Sequence, residues 1–211
     1  MSGMFDGSLI TKMGKLFYLM GKSASGKDRI YHHLLEQEDL GLVPLVLYTT
    51  RPIRKGEKNG REYFFTDEGK LAQLKQEEKL IEERCYNTVY GPWYYFTADE
   101  GRVSPKTQFV LGMGTPESYV RLRDYYGAET VCPILIETED GLRLQRALQR
   151  ERSQEHPRYQ EMCRRFLADC EDFSEEKLAA AGITRRFSNN GTPEECYEQL
   201  VAFLRQQIAE A

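Results

Sequence analysis

Residues 21–28, Gly-Lys-Ser-Ala-Ser-Gly-Lys-Asp, constrain this chain more than any other stretch. They follow the apolar run Leu16-Phe17-Tyr18-Leu19-Met20 and precede an amphipathic segment, so strand, glycine-bounded loop and helix come in the order of a phosphate-binding P-loop. Gly21 and Gly26 permit backbone angles and close approaches that a side chain obstructs. Successive N–H groups, those of Ser23, Ala24 and Ser25 among them, then turn inward as an anion nest. Lys27 adds a mobile positive charge, and the helix beginning beside it aims its positive end at the same spot. Position eight departs from the pattern, because Asp28 stands where the motif has a Ser or Thr hydroxyl for Mg²⁺.

The chain has 211 residues, enough for one good core, and reads as one domain with small attachments. Its 29 basic and 33 acidic residues give a net charge of −4, which argues against a general nucleic-acid binder. The five cysteines are scattered without CxxC spacing, so neither a disulfide framework nor a zinc site is indicated, and a cytoplasmic setting fits. No apolar run approaches the roughly 20 residues of a membrane span, so no membrane association is expected. Residues 1–12 read as an N-terminal extension.

Along the chain, a buried strand is expected over 15–20, a helix over 27–38 and a second strand over 43–49. Residues 51–62 are almost entirely charged or turn-forming, and their two arginines three apart offer forked donors to a phosphate. A helix over 67–78 and short strands over 79–96 come next, with a turn at Tyr90-Gly91-Pro92 and aromatics that suit a small separate core. Strand and helix then alternate: a strand at 109–111 ending in Gly112-Met113-Gly114, a helix N-capped by Thr115, a strand at 131–136 and a helix over 140–152 with Leu144, Ala147 and Leu148 as contacts. Arg143, Arg146 and Arg150 share a face of that helix. His156-Pro157 interrupts it before a strongly periodic helix at 159–173. A strand at 183–187 and a final helix, opened by the capping box Thr192-Pro193-Glu194-Glu195, complete the chain. His32-His33 reads as a surface or packing pair, since adjacent helix positions diverge. This alternation predicts an α/β fold with a mostly parallel, doubly wound sheet and ligands beyond its carboxyl ends.

The segment Thr49-Thr50-Arg51-Pro52-Ile53-Arg54-Lys55-Gly56-Glu57-Lys58-Asn59-Gly60, leading to Tyr63, is similar to a signature of the guanylate kinase family of P-loop nucleoside monophosphate kinases. The resemblance covers residues 13–208. It implies a P-loop NTPase fold of three α/β/α layers with a core at 13–48 and 105–208, a small mixed-sheet GMP-binding insertion at about 49–98 and a helical lid at about 146–164. It implies phosphoryl transfer from ATP to GMP or a related small acceptor, with Mg²⁺, by a monomer or small homo-oligomer. Carried over by position, Arg51, Arg54, Tyr63 and Tyr90 would grip the acceptor phosphate, and Glu57 and Glu82 would face the base. Gly21 to Lys27 would hold ATP phosphates, Asp28 the metal, and Asn189 the adenosine side. Arg146, Arg150 and Arg165 match lid arginines.

Leu47, Pro92, Gly112 and Gly114 depart from the family pattern, the two glycines standing where it has an Asp-x-Asp strand end. The Gly-Lys-Asp ending also resembles the loop of ribose 1,5-bisphosphate phosphokinase, and a non-catalytic guanylate kinase-like binding module is a further reading. The retained Lys27 favours an enzyme. A carboxylate at Asp28 offers Mg²⁺ a hard oxygen in place of the hydroxyl.

Overall fold

Strand β1 (Lys15–Met20) runs through the middle of the molecule, and Leu16 to Met20 are wholly buried. The computed structural model describes residues 13–54, 56–88 and 91–211; the extension at 1–12 and Tyr90 lie outside the described residues. β1 is flanked by β7 (Phe109–Gly114) and β8 (Val131–Glu137), with β2 (Val43–Pro44) and β9 (Arg186–Ser188) at the edges, giving the order β2-β7-β1-β8-β9. Every pairing in this sheet is parallel.

The strand's alternation distributes its side chains between two cores. Phe17 and Leu19 pack with Ile30 and Leu34 of α1 (Lys27–Leu35) and with Cys196, Leu200 and Leu204 of α7 (Pro193–Ala209). Leu16, Tyr18 and Met20 pack with Tyr119 and Leu122 of α3 (Pro116–Tyr126) and with Leu178 of α6 (Glu175–Ala180). Each fully buried Leu or Phe contributes about 1.5–3 kcal/mol. The three layers follow, as expected.

A second sheet is inserted between β2 and β7. It has the order β4-β3-β6-β5, from β3 (Tyr48–Thr49), β4 (Phe64–Phe65), β5 (Leu80–Thr88) and β6 (Gly91–Ala98). Its own small core is Tyr48, Phe96 and the buried Leu71 and Leu74 of α2 (Glu68–Gln76). The single strand expected over 43–49 is therefore two short strands in different sheets. The apolar run is continuous, but the pairing partner changes from Leu111 at Pro44 to Phe96 at Tyr48.

Other boundaries shift for local reasons. The first helix stops at Leu35, and a 3-10 turn at Glu38–Leu40 tucks Leu40 into the core before the left-handed Gly41. The segment at 79–96 forms two long antiparallel strands rather than several short ones. At the chain's end only 186–188 pairs as a strand, although Ile183 is buried. Thr115 caps α3 as expected, with Ser118 returning the bond to make a full capping box. Thr192 caps α7 through the amide of Glu195.

Helices α4 (Asp140–Arg152) and α5 (Tyr159–Asp172) pack on one another after β8. Leu144 of α4, expected as an apolar contact, is 41% exposed, and Leu167 of α5 is 69% exposed. α5 has a strong apolar stripe yet no fully buried residue, so it covers the body without being embedded in it. No helix among the described residues is long and apolar enough to cross a membrane.

Candidate active site

The loop after β1 is shaped by two kinds of constraint. Ala24 (φ 62°) and Gly26 (φ 89°) adopt left-handed backbone within three residues, the alternation of hand that turns neighbouring N–H groups to one side. A Cβ on Gly26 would stand 2.4 Å from Asn189 Nδ2, and one on Gly21 would stand 2.8 Å from Ser25 Oγ and 2.9 Å from the Ile136 carbonyl. Both glycines are thus required by close approach. Asn189 Nδ2 and Thr138 Oγ1 donate to the Ser25 carbonyl at 2.7 and 3.1 Å, holding it away from the anion side of the loop. Among the described residues, Ser25 Oγ and Asn189 Oδ1 are buried without a hydrogen-bond partner, as befits polar atoms at a ligand cradle.

Sequence reasoning missed two residues that grip this loop. Arg143 is 1% exposed and donates Nη1 to the Ser23 carbonyl at 3.0 Å, while Asp169 of α5 accepts the Ser23 N–H at 2.7 Å. Arg143 also binds Asp140 through Nε and Nη2, lies 3.5 Å from Asp169, and stacks over Phe166. An arginine and an aspartate on separate helices leave no local pattern, so only the fold reveals them. Lys27 pairs with Asp28 at 3.2 Å, and the Asp28 side chain is 69% exposed.

Beside the loop, a cavity of about 420 Å³ is lined by Gly26, Arg29, Ile30, Arg146, Asn189 and Tyr197, with further α7 residues. Arg146 is half-buried there and donates to the Asn189 carbonyl at 3.2 Å. Arg146 and Asn189 are therefore brought together. Arg150 is exposed, and Arg165 is exposed and tied to Glu161 at 2.7 Å.

Across the cleft stands the charged loop. Buried Arg51 holds Glu57 in a two-pronged pair at 2.8 and 2.6 Å and lies over the rings of Tyr63 and Phe65. Glu57 also accepts the Arg54 amide, so this carboxylate shapes the loop around the two arginines. Hydrogen bonds from Arg51 hold the Glu57 carboxyl down at about 2. The Arg54 side chain is exposed. Tyr63 has its pKa raised, first by burial and then by Tyr95, with a smaller contribution from the charge of Asp28, so the two loops are neighbours. Glu82 is buried on the adjoining strand and accepts from Thr97 Oγ1 at 2.8 Å and Arg84 Nε at 3.2 Å. It also borders a cavity of about 260 Å³ shared with Ser118 and Arg121.

The glycines ending β7 have a steric cause. A Cβ on Gly112 would lie 2.7 Å from the Tyr18 ring, and one on Gly114 would lie 2.0 Å from the Tyr18 hydroxyl. Tyr18 fills that space and shares a 2.8 Å hydrogen bond with Ser118, and burial raises its pKa. An aspartate at either position has no room while Tyr18 stays.

A glycine-bounded loop at the carboxyl edge of a parallel sheet, with an arginine-bearing insertion sheet on one side and the paired helices α4 and α5 on the other, defines a P-loop α/β protein. More particularly, residues 13–96 match the guanylate kinase family model. The chain is 36% identical over 84 residues to the guanylate kinase of Syntrophomonas wolfei and 40% identical over 84 residues to that of Mycoplasma mobile. Each match covers 39% of this chain and 42% of the relative. The chain thus spans less than half the length of the curated relatives it matches. The crystal structure of guanylate kinase from Anaplasma phagocytophilum aligns with a TM-score of 0.64 over 93% of this chain and 87% of that one, at 21% identity. The fold is that of the guanylate kinases throughout, while the sequence kinship is concentrated in the first half.

Proposed function

We propose that this protein transfers a phosphoryl group from ATP to a nucleoside monophosphate, with GMP the acceptor its residues suit best. The observation that carries this reading is the opposition, across one cleft, of the anion-binding loop and the Arg51-Glu57 loop with Tyr63.

The parts divide the work. Loop amides and Lys27 hold the donor phosphates, and the orphaned polar atoms of Ser25 and Asn189 fit a polar ligand at that cradle. In this reading the cavity of about 420 Å³ beside Arg146 and Asn189 takes the donor base. Arg51, Arg54 and Tyr63 hold the acceptor phosphate, with Tyr90 assigned to the same task by resemblance. Phosphoryl transfer needs alignment of two anions and compensation of spreading charge more than covalent help. Arg150 and Arg165 are exposed on the paired helices and in this reading close over the transferring group, Arg165 exchanging its surface pair with Glu161 for the phosphate, and closure excludes water.

Mg²⁺ fits this arrangement through Asp28. Among the described residues no cluster of three ligating side chains forms a dedicated cage, and Mg²⁺ is ordinarily held by one or two carboxylates together with substrate phosphates. Asp28 is an exposed hard-oxygen donor beside Lys27. When bound there, the ion would neutralise charge on the phosphate oxygens.

The test is ADP release from ATP with GMP, dGMP, AMP, CMP, UMP and ribose 1,5-bisphosphate offered separately. Preferential turnover of GMP supports the proposal. ATP binding without transfer to any monophosphate refutes it.

A further inference from the structure

Arg84 sits two residues beyond Glu82 on β5, so the two side chains lie on the same face of the insertion sheet. Their cross-strand neighbours are Tyr95 and Thr97, and Tyr95 in turn pairs with Thr49 of β3, two residues before Arg51. Arg84 therefore shares a sheet face with the phosphate-gripping loop, and its charge is felt at Tyr63 on one side and at buried Tyr18 on the other. Its side chain is 16% exposed and that of Glu82 is 3% exposed. A half-buried arginine here is costly unless it is paired, and pairing it to Glu82 makes the floor of the cleft nearly neutral. A neutral floor suits an uncharged base rather than a second phosphate.

The hydrogen-bond inventory sharpens this. A carboxylate has about four lone-pair sites, and Glu82 uses two, toward Thr97 and Arg84. A guanidinium has five N–H groups, and Arg84 commits only Nε; among the described residues neither Nη group has a partner. Side by side, the pair presents donors from Arg84 next to acceptors from Glu82. Guanine's outer edge offers the complementary row, O6 as acceptor beside N1–H and the N2 amine as donors. Adenine reverses the row at the same two places, with an amine facing Arg84 and a bare nitrogen facing Glu82.

We infer that Arg84 is a specificity-determining residue, donating to O6 of a 6-oxopurine acceptor while Glu82 accepts from N1–H and the N2 amine. This rests on the monophosphate kinase reading above and deepens it: the acceptor is selected as a 6-oxopurine by an arginine–glutamate pair on one strand.

The experiment compares kcat/KM for GMP, IMP and AMP in the wild type, Arg84→Met and Arg84→Lys, with melting curves on each. The wild type should prefer GMP and IMP to AMP. Arg84→Met should lower kcat/KM for GMP and IMP alike by about 10–100-fold, should not lower it for AMP, whose amine no longer meets a donor, and so collapse the base preference. Arg84→Lys, which keeps a donor without the fork, should recover part of it. Equal losses for all three nucleotides, or an unchanged GMP to AMP ratio in a folded variant, would overturn the inference while leaving the kinase reading standing. If the lysine variant alone folds, a wild-type base ratio in it counts against the fork. A wild type inert on all three purine nucleotides overturns this inference, and the kinase reading falls with it only if CMP and UMP are inert as well.

Discussion

Gly114→Ala tests how β7 ends. A Cβ at this position would meet the Tyr18 hydroxyl at 2.0 Å, Ser118 Oγ at 2.7 Å and Tyr18 Cζ at 2.9 Å, all closer than Cβ atoms come. Tyr18 is wholly buried, so its ring cannot swing out to solvent. Two costs add: overpacking, roughly 1–3 kcal/mol, and loss of the Tyr18 to Ser118 hydrogen bond, about 1 kcal/mol. The sum, about 3 kcal/mol, should lower the melting midpoint of a chain this size by about 6–12 °C. Tyr18→Phe alone should cost about 1 kcal/mol, because Ser118 keeps its bonds to Thr115. In the double variant the hydroxyl that causes the worst conflict is gone. Its cost should therefore fall short of the sum of the single costs by about 1–2 kcal/mol. Urea titrations of the four proteins give the cycle. Additivity within about 0.5 kcal/mol, or a Gly114→Ala protein as stable as wild type, would refute the steric account.

Asp28→Ser should raise the Mg²⁺ concentration needed for half-maximal turnover. Because the side chain is exposed, it should change stability by less than about 0.5 kcal/mol; an unaltered Mg²⁺ dependence would remove Asp28 from the metal site. Acid stability follows from Glu57 and Glu100, each held at about 2, the first by hydrogen bonds from Arg51 and the second by those from Lys70 and Tyr48. An unfolded glutamate takes its proton near pH 4.3, so the stabilisation is present above about that pH and fades as pH falls toward 2. Urea midpoints between pH 5 and 2.5 should decline, and less steeply in Glu100→Gln; parallel slopes would contradict the assignment.

What could be read ahead of the structure was whatever the chain encodes over a few neighbouring residues. β1 and α4 fall where apolar runs and helix periodicity put them, and the loops at 21–28 and 51–62 are contiguous motifs. The stretch at 43–49 was misread because a continuous apolar run does not say which partner each end will find. Gly112 and Gly114 looked like simple losses until Tyr18, almost a hundred residues earlier, was found in their space. Arg143 was expected to share one helix face with Arg146 and Arg150, yet it is buried while Arg150 is exposed, because Phe166 and Asp169 arrive from another helix. Glu57 carries a signal in sequence, but only the fold shows it gripping Arg51.

The peptide of Ser23 has its carbonyl held from α4 and its N–H held from α5. A loop amide anchored in this way is a ready-made spectroscopic reporter. Its proton donates across a helix boundary to Asp169, so its chemical shift and solvent-exchange rate register where α5 sits as well as how the loop is folded. A single backbone resonance thus lets the position of α5 against the loop be followed in solution without attaching a label.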